Sequence, residues 1–170
     1  MARFLIFDLD QTLVDTSILE PYRRNRQWKE VYRHIPDAYL YSGISEVFDF
    51  IRKEQKVVAL VSSAPRPYIE KVVAYFNIPA HVIVGYHDAP RKPSPAPMLK
   101  ALSLMHAASN DAITFGDRAI DICASKNAHI RCAACLWGST ERLQLNRLYP
   151  DYVLDNPEDI ISLVMQTENA

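Results

Sequence analysis

The 170-residue sequence has no long apolar run, only three cysteines and almost no net charge. The first apolar stretch, residues 4 to 7, ends at Asp8 and is far too short for a signal-peptide core or a membrane span. A formal net charge of -1, with 23% charged residues, is ordinary for a globular domain and indicates neither a nucleic-acid nor a membrane partner. We therefore expect a cytoplasmic protein that does not bind membranes.

The three cysteines, Cys123, Cys132 and Cys135, cannot all pair within one chain. Cys132 and Cys135 have the spacing of a redox or metal motif, but the surrounding IRCAACLW is typical of a strand. Residues three apart on a strand face opposite sides of the sheet, so the two sulfur atoms should diverge. We predict that all three cysteines are free thiols and that Cys132 and Cys135 are buried.

Short apolar runs alternate with helical patterns along the chain, which predicts an α/β fold with a doubly wound, Rossmann-like parallel sheet. The expected strands are 2–9, 56–63, 81–86, 111–117, 129–137 and 151–154, and the expected helices are 44–55, 65–77, 94–108, 118–128 and 156–166. With 49% hydrophobic residues, we predict a single domain over residues 1–170. The segment 14–42 falls outside the alternation and is interpreted as a short helical insertion after the first strand.

Chemically useful side chains follow four of the predicted strands, and ligands of such sheets bind beyond the carboxyl ends of the strands. These residues are Asp8, Asp10, Ser62, Ser63, Lys92, Asp117 and Asp121. Carboxylates after so apolar a strand indicate a bound cation, and Mg²⁺ prefers oxygen ligands of this kind. Each residue also has a simpler explanation, such as helix capping for Asp117 and Ser62 or a solvated Lys92. Their occurrence at several strand ends favours a site.

Four segments in this order resemble the motifs of the haloacid dehalogenase-like superfamily of phosphatases, over essentially the whole chain. FDLDQTL is similar to the first motif and includes Thr12, LVSSAPRP to the second, APRKPSPAPML to the third and ITFGDRAIDICASKNA to the fourth. The LWG at 136–138 is also familiar from the subgroup. The resemblance implies one domain of that superfamily, with the insertion at about 14–42 as a minimal cap.

The resemblance implies a Mg²⁺-dependent phosphomonoester hydrolase that forms an aspartyl-phosphate on Asp8. Asp10 is then expected to protonate the leaving oxygen and later to take a proton from water. Having an acid at position 10, together with Thr12, separates the chain from the superfamily's dehalogenases. The implied phosphate-binding residues are Ser62, Ser63 and Lys92, and the implied metal site comprises Asp8, Asp10, Asp117 and Asp121. Whether Asp121 reaches the metal or only orients the site stays open.

The insertion is basic, because residues 22–34 carry five cations against Glu30, interleaved with Tyr22, Trp28 and Tyr32. Such a stretch beside a phosphate site is able to steer a polyanion and stack on bases, which indicates a nucleotide, a nucleic-acid end or a phosphoprotein as substrate. In the simpler interpretation it is an amphipathic helix whose Trp28, Val31 and Tyr32 pack inward while the arginines face water. A minimal cap leaves the site open to bulky substrates, unless a second subunit covers it.

Two other functions are compatible with the same residues. A phosphotransferase or phosphomutase would use the same intermediate on Asp8, but it must exclude water, which a small cap does poorly. A non-catalytic binding module with this fold is expected to have lost an acid or the lysine, and none is missing here. A hydrolase acting on a phosphorylated substrate is therefore favoured.

Overall fold

The computed structural model describes residues 3–168, and its centre is a six-stranded parallel sheet. A separate two-stranded sheet lies in the insertion. The strands are β1 (Phe4–Phe7), β2 (Val14–Asp15), β3 (Tyr39–Leu40), β4 (Val57–Val61), β5 (Val82–Val84), β6 (Ala112–Gly116), β7 (Arg131–Cys135) and β8 (Tyr152–Leu154). The large sheet has the order β5-β4-β1-β6-β7-β8, with all neighbouring strands parallel. The predicted doubly wound α/β fold is confirmed, while residue 2 of the predicted first strand lies outside the described residues.

Helices cover both faces of this sheet. They are α1 (Glu20–Arg24), α2 (Trp28–His34), α3 (Ile44–Lys53), α4 (Arg66–Phe76), α5 (Ala96–Met105), α6 (Ala119–Asn127), α7 (Arg142–Arg147) and α8 (Asp159–Glu168). Buried side chains of α3, α4 and α8 form one core layer, and those of α5, α6 and α7 form two clusters on the other face. The short helix α7 was not predicted. No helix in the described part of the chain is both long and apolar enough to cross a bilayer.

The core follows from the alternation of side chains along the strands. In β1, Leu5 packs on one face of the sheet and Ile6 on the other, both fully buried. Phe7 stacks on Phe115 of β6 with ring centroids 4.7 Å apart. β1 is therefore packed on both faces of the sheet, up to the residue before Asp8.

The cysteines are free, as predicted, and Cys132 and Cys135 belong to core clusters on opposite faces of the sheet. Burial raises the pKa of the Cys132 thiol to about 11, which keeps it unreactive near neutral pH. Cys132 and Cys135 are buried, as predicted, whereas Cys123 is only partly buried.

The insertion consists of α1 and α2, closed at its base by the antiparallel pair β2 and β3. These strands were not predicted, because two residues each are too few to show a periodic pattern. Val31 is fully buried, and Trp28 packs on Tyr68 of α4 with ring centroids 6.3 Å apart. The inward-packing interpretation is therefore right for these aromatic and apolar residues, and Trp28 packs on α4. It is wrong for one arginine, Arg23.

Candidate active site

The seven residues predicted from the sequence all line one cavity of about 470 Å³ at the carboxyl ends of the central strands. They are Asp8, Asp10, Ser62, Ser63, Lys92, Asp117 and Asp121. The cavity lies where the strand order reverses beside β1, the usual ligand position in an open parallel sheet. Because β4 ends at Val61 and β6 ends at Gly116, Ser62 and Asp117 are the first residues beyond their strands.

Lys92 connects two of the acids in this cavity. Its Nζ donates hydrogen bonds to Oδ1 of Asp8 at 2.6 Å, to Oδ1 of Asp121 at 2.5 Å and to the carbonyl oxygen of Val61 at 3.0 Å. The lysine side chain is only 3% exposed, so its charge is balanced by buried carboxylates rather than by water. Both acids raise the pKa of Lys92 against the opposing effect of burial. Lys92 therefore remains a cation that fixes the position of Asp8.

Three carboxylates form an acidic cluster, with oxygen atoms of Asp8, Asp117 and Asp121 all within 4.8 Å of one another. Burial raises the pKa of Asp8 to about 7, although Lys92 opposes the shift, and burial together with Asp8 raises the pKa of Asp117 to about 8. A divalent cation among these oxygens would stabilise the charged forms that burial disfavours. The donor set is all oxygen, which suits Mg²⁺.

Asp117 is oriented by Thr12 of the first motif, whose hydroxyl donates a buried hydrogen bond to Oδ1 of Asp117 at 2.8 Å. The Ser139 hydroxyl donates to the Asp117 carbonyl oxygen at 2.6 Å. Asp121 accepts the backbone N–H of Arg118 on Oδ2 at 3.0 Å, so it caps α6 while its other oxygen binds Lys92. Both oxygens of Asp121 are engaged, which favours orientation of the site over direct metal contact.

The segment 136–139, which follows β7, contacts the backbone of the first motif. The indole N–H of Trp137 donates to the Thr12 carbonyl oxygen at 2.8 Å. Gly138 lies against the Gln11 carbonyl so closely that a Cβ at this position would overlap it. The sequence marked LWG only as a familiar motif, and the structure shows that it supports the backbone between Asp10 and Thr12.

Asp10 is turned towards the insertion and lies outside the acidic cluster. Its Oδ1 accepts hydrogen bonds from the hydroxyls of Thr16 at 2.7 Å and Tyr68 at 2.6 Å, and it pairs with Nη1 of Arg23 at 2.8 Å. The Arg23 guanidinium also lies 4.8 Å from the centroid of the Tyr68 ring. Burial raises the pKa of Tyr68, and Asp10 adds to the rise, so its hydroxyl remains a donor. Sequence reasoning missed these three partners, because nothing in the spacing links them to Asp10.

The two serines after β4 differ in position. Ser62 is buried, and its Oγ accepts the Ala64 backbone N–H at 3.1 Å, which leaves its own hydrogen to donate into the cavity. Ser63 is exposed and lies at the cavity wall. The arrangement agrees with a hydroxyl donor at Ser62 and an outer position for Ser63.

The sequence of this chain matches a known protein family. The model of the haloacid dehalogenase-like hydrolase family matches residues 19–135. The chain belongs to this family. The matched range begins after the first motif and does not include Asp8 or Asp10. For these two residues of this hydrolase, the evidence is their position and contacts in the structure.

Two relatives illustrate the range of this hydrolase family. A phosphoglycolate phosphatase of Aquifex aeolicus is 26% identical over an alignment of 208 positions, which covers 95% of this chain and 96% of the relative. A pyrophosphatase PpaX of Bacillus cereus is 28% identical over 127 residues, which cover 73% of this chain and 59% of the relative. The prediction of a phosphatase is confirmed at the level of the family.

The fold is also found in solved structures. A HAD-superfamily hydrolase of subfamily IA from Geobacter sulfurreducens superimposes with a TM-score of 0.77 at 17% identity, covering 96% of this chain and all of the other. At that identity the likeness concerns the fold.

Proposed function

We propose that this hydrolase is a Mg²⁺-dependent phosphomonoesterase that acts through an aspartyl-phosphate on Asp8. The observation that carries the proposal is the buried Lys92, which joins Asp8 to Asp121 at one edge of the acidic cluster. A carboxylate held beside a cation, with further acids able to bind a metal, is the arrangement that attack on a phosphate dianion requires.

In the first half-reaction, a carboxylate oxygen of Asp8 attacks phosphorus, and the bond between phosphorus and the leaving oxygen breaks. Lys92 holds Oδ1 of Asp8, which leaves Oδ2 to attack. Lys92 and the Ser62 hydroxyl then balance charge that develops on the phosphoryl oxygens. Ser63, at the cavity wall, adds an outer contact to the phosphate.

Asp10 supplies and recovers the proton. It protonates the leaving oxygen to give an alcohol, and in the second half-reaction it takes a proton from the water that attacks the aspartyl-phosphate. The products are the alcohol and inorganic phosphate, and Asp8 is regenerated. Because Thr16, Tyr68 and Arg23 all bind Oδ1 of Asp10, the transferred proton must use its other oxygen, Oδ2.

Mg²⁺ would be held by Asp8 and Asp117, with Asp121 at the edge of the cluster, and would screen the repulsion between the nucleophile and the phosphate dianion. Asp10, also expected at the metal site from the sequence, presents its Oδ1 to the insertion instead. Any contact from its side chain to the metal would have to come from Oδ2.

The substrate proposal favours a small phosphate compound. The names of the two relatives refer to phosphoglycolate and pyrophosphate, whereas neither refers to a nucleic acid or a phosphoprotein. The bulky substrate that the sequence left open therefore has no support from these relatives. Phosphoryl transfer is disfavoured because the insertion is short and the cavity is open to water.

Hydrolysis of p-nitrophenyl phosphate with Mg²⁺, with EDTA and by Asp8→Asn tests the proposal. We expect activity with Mg²⁺, its loss in EDTA, and a loss of about 10³-fold or more in Asp8→Asn. The exposed Asp49→Asn is the matched control and should retain activity. Substantial turnover by Asp8→Asn would rule out this nucleophile, and an inactive wild-type protein on all phosphate esters would indicate a binding module.

A further inference from the structure

A second cavity of about 640 Å³ adjoins the active site and is lined by arginines from two distant parts of the chain. The two cavities share Glu20, Arg23, Arg24, Ser63 and Ala64 as lining residues, so they are adjacent. We call the second cavity the basic pocket, defined by Arg23, Arg24, Arg26, Arg91 and Glu20. Its position beside the phosphate site is where the leaving group of a substrate would extend.

The charge of the basic pocket is only partly balanced. Arg23 is paired with Asp10, and Arg24 pairs with Glu20 at 3.3 Å between two exposed side chains, a weak interaction in water. Among the described residues, no carboxylate pairs with the guanidinium of Arg26 or of Arg91. These two arginines therefore leave the pocket with charge available to a ligand.

Arg91 is held in place at the pocket. Its guanidinium lies 5.1 Å from the centroid of the Tyr86 ring, and Arg91 directly precedes Lys92 in the chain. Lys92 therefore lies at the proposed phosphate site, and the preceding residue, Arg91, lines the adjoining pocket. Arg26 comes from the insertion on the opposite wall, so the two parts of the chain converge on one volume.

We propose that the basic pocket binds a second anionic group, a phosphate or a carboxylate, on the leaving group of a small phosphomonoester substrate. The inference rests on the proposed function and adds the substrate class to it. Unpaired guanidinium groups are well suited to both anions. A small molecule is favoured over nucleic acid because the arginines converge on one cavity of metabolite size rather than following a track along the surface.

Matched pairs of esters test the proposal. Fructose 1,6-bisphosphate against fructose 6-phosphate tests a second phosphate, and 3-phosphoglycerate against glycerol 3-phosphate tests a carboxylate. In at least one pair, we expect a higher kcat/KM for the compound that carries the second anionic group. Which pair shows this preference tells whether the pocket binds a phosphate or a carboxylate. In Arg26→Gln and Arg91→Gln, that preference should fall by roughly tenfold, because one charged hydrogen-bonding partner is lost.

The control is Arg33→Gln, which removes an exposed arginine of α2 that pairs with Glu30 and does not line the basic pocket. Its preference should equal that of the wild-type protein. If the Arg26 and Arg91 variants keep the same preference as the wild-type protein, the proposal is overturned. 5′-Phosphorylated oligonucleotides are assayed with the same variants. If these variants lose activity only on the oligonucleotides, the pocket binds nucleic acid and the proposal of a small-molecule substrate is overturned.

Binding separates this proposal from the proposed function. Calorimetric titration of Asp8→Asn with the same pairs needs no turnover. Tighter binding of the doubly anionic compound, weakened by Arg26→Gln, would support the basic pocket even if the wild-type protein proved inactive. Equal binding of both members of each pair would reject the pocket while leaving the hydrolase mechanism intact.

Discussion

Arg23 of the insertion places its Nη1 2.8 Å from Oδ1 of Asp10, while its guanidinium stacks on the Tyr68 ring. Burial lowers the pKa of Arg23, but the charge of Asp10, with smaller contributions from Tyr68 and two other acids, raises it overall. The insertion thus contributes a side chain to the proposed catalytic centre. Arg23 is a positioning residue for the proposed general acid.

Replacing Arg23 should therefore harm proton donation more than attack by Asp8. We expect Arg23→Gln to lower kcat by about 10- to 100-fold on an alkyl phosphate such as 2-glycerophosphate, whose leaving oxygen needs a proton. The loss on p-nitrophenyl phosphate should be much smaller, because its leaving group departs readily as an anion. Steady-state kinetics on the two substrates measure the difference.

Tyr68→Phe is the matched companion to Arg23→Gln, because it keeps the ring under Arg23 and removes one donor to Asp10. It should show the same substrate dependence with a smaller loss, and Arg23→Lys should recover part of the activity. An equal loss on both substrates in Arg23→Gln would mean that the arginine has only a structural role.

Mg²⁺ should stabilise the folded protein through the acidic cluster. At a hundredfold excess over its Kd, a ligand specific for the folded state adds about 2.7 kcal/mol, which corresponds to roughly 5 to 10 °C in Tm for a domain of this size. Asp117→Asn keeps the shape of the side chain and removes its charge, so it should lose most of this shift. Thermal unfolding with and without Mg²⁺ measures it.

The control for the metal experiment is Asp49→Asn, whose side chain is 81% exposed and lies in α3 away from the cluster. It should keep the full shift. The metal assignment fails if Mg²⁺ does not raise the Tm of the wild-type protein, or if Asp117→Asn responds equally.

Gly138→Ala should damage both stability and catalysis. The added Cβ would overlap the Gln11 carbonyl and displace the backbone that follows Asp10. Overpacking of this kind costs about 1 to 3 kcal/mol, and we expect kcat to fall with it. Urea unfolding and p-nitrophenyl phosphate turnover measure the two effects.

Ser139→Ala is the comparison for Gly138→Ala, because it removes the hydrogen bond to the Asp117 carbonyl without adding volume. Its cost should be nearer 1 kcal/mol. A Gly138→Ala protein as stable and active as the wild type would show that the contact with Gln11 is not required.

Asp88 should make stability depend on pH in the acid range. Hydrogen bonding from the Gly85 N–H, helped by Arg66, holds the pKa of Asp88 below its ordinary value of 3.8. Its stabilising effect is therefore fully present above about pH 5 and is lost as pH falls through the lower folded-state pKa. The difference in free energy of unfolding between the wild type and Asp88→Asn should shrink below about pH 4.

Urea unfolding at several pH values from 6 to 3 provides this comparison. The contributions of the other acids to the free energy of unfolding cancel, because both proteins contain them. A constant difference across that range would contradict the role of the ionised Asp88 carboxylate.

Local sequence was sufficient for the main elements of the fold. The strands are short, apolar on both faces and separated by helical periods, so their approximate ranges and their parallel arrangement followed from the pattern. The elements that were missed, β2, β3 and α7, have two, two and six residues. Segments this short are stabilised by tertiary contacts rather than by their own periodicity.

The sequence by itself determined which side chains stand at the strand ends, because the end of an apolar run is a local property. It therefore led to Asp8, Asp10, Ser62 and Asp117, and to Lys92 in the loop that follows β5. Tertiary structure alone decided what surrounds them: it brings Lys92 between Asp8 and Asp121, and it turns Oδ1 of Asp10 towards Arg23 and Tyr68. Contacts between residues dozens of positions apart depend on how the helices and loops pack over the sheet, and no spacing in one sequence records that packing.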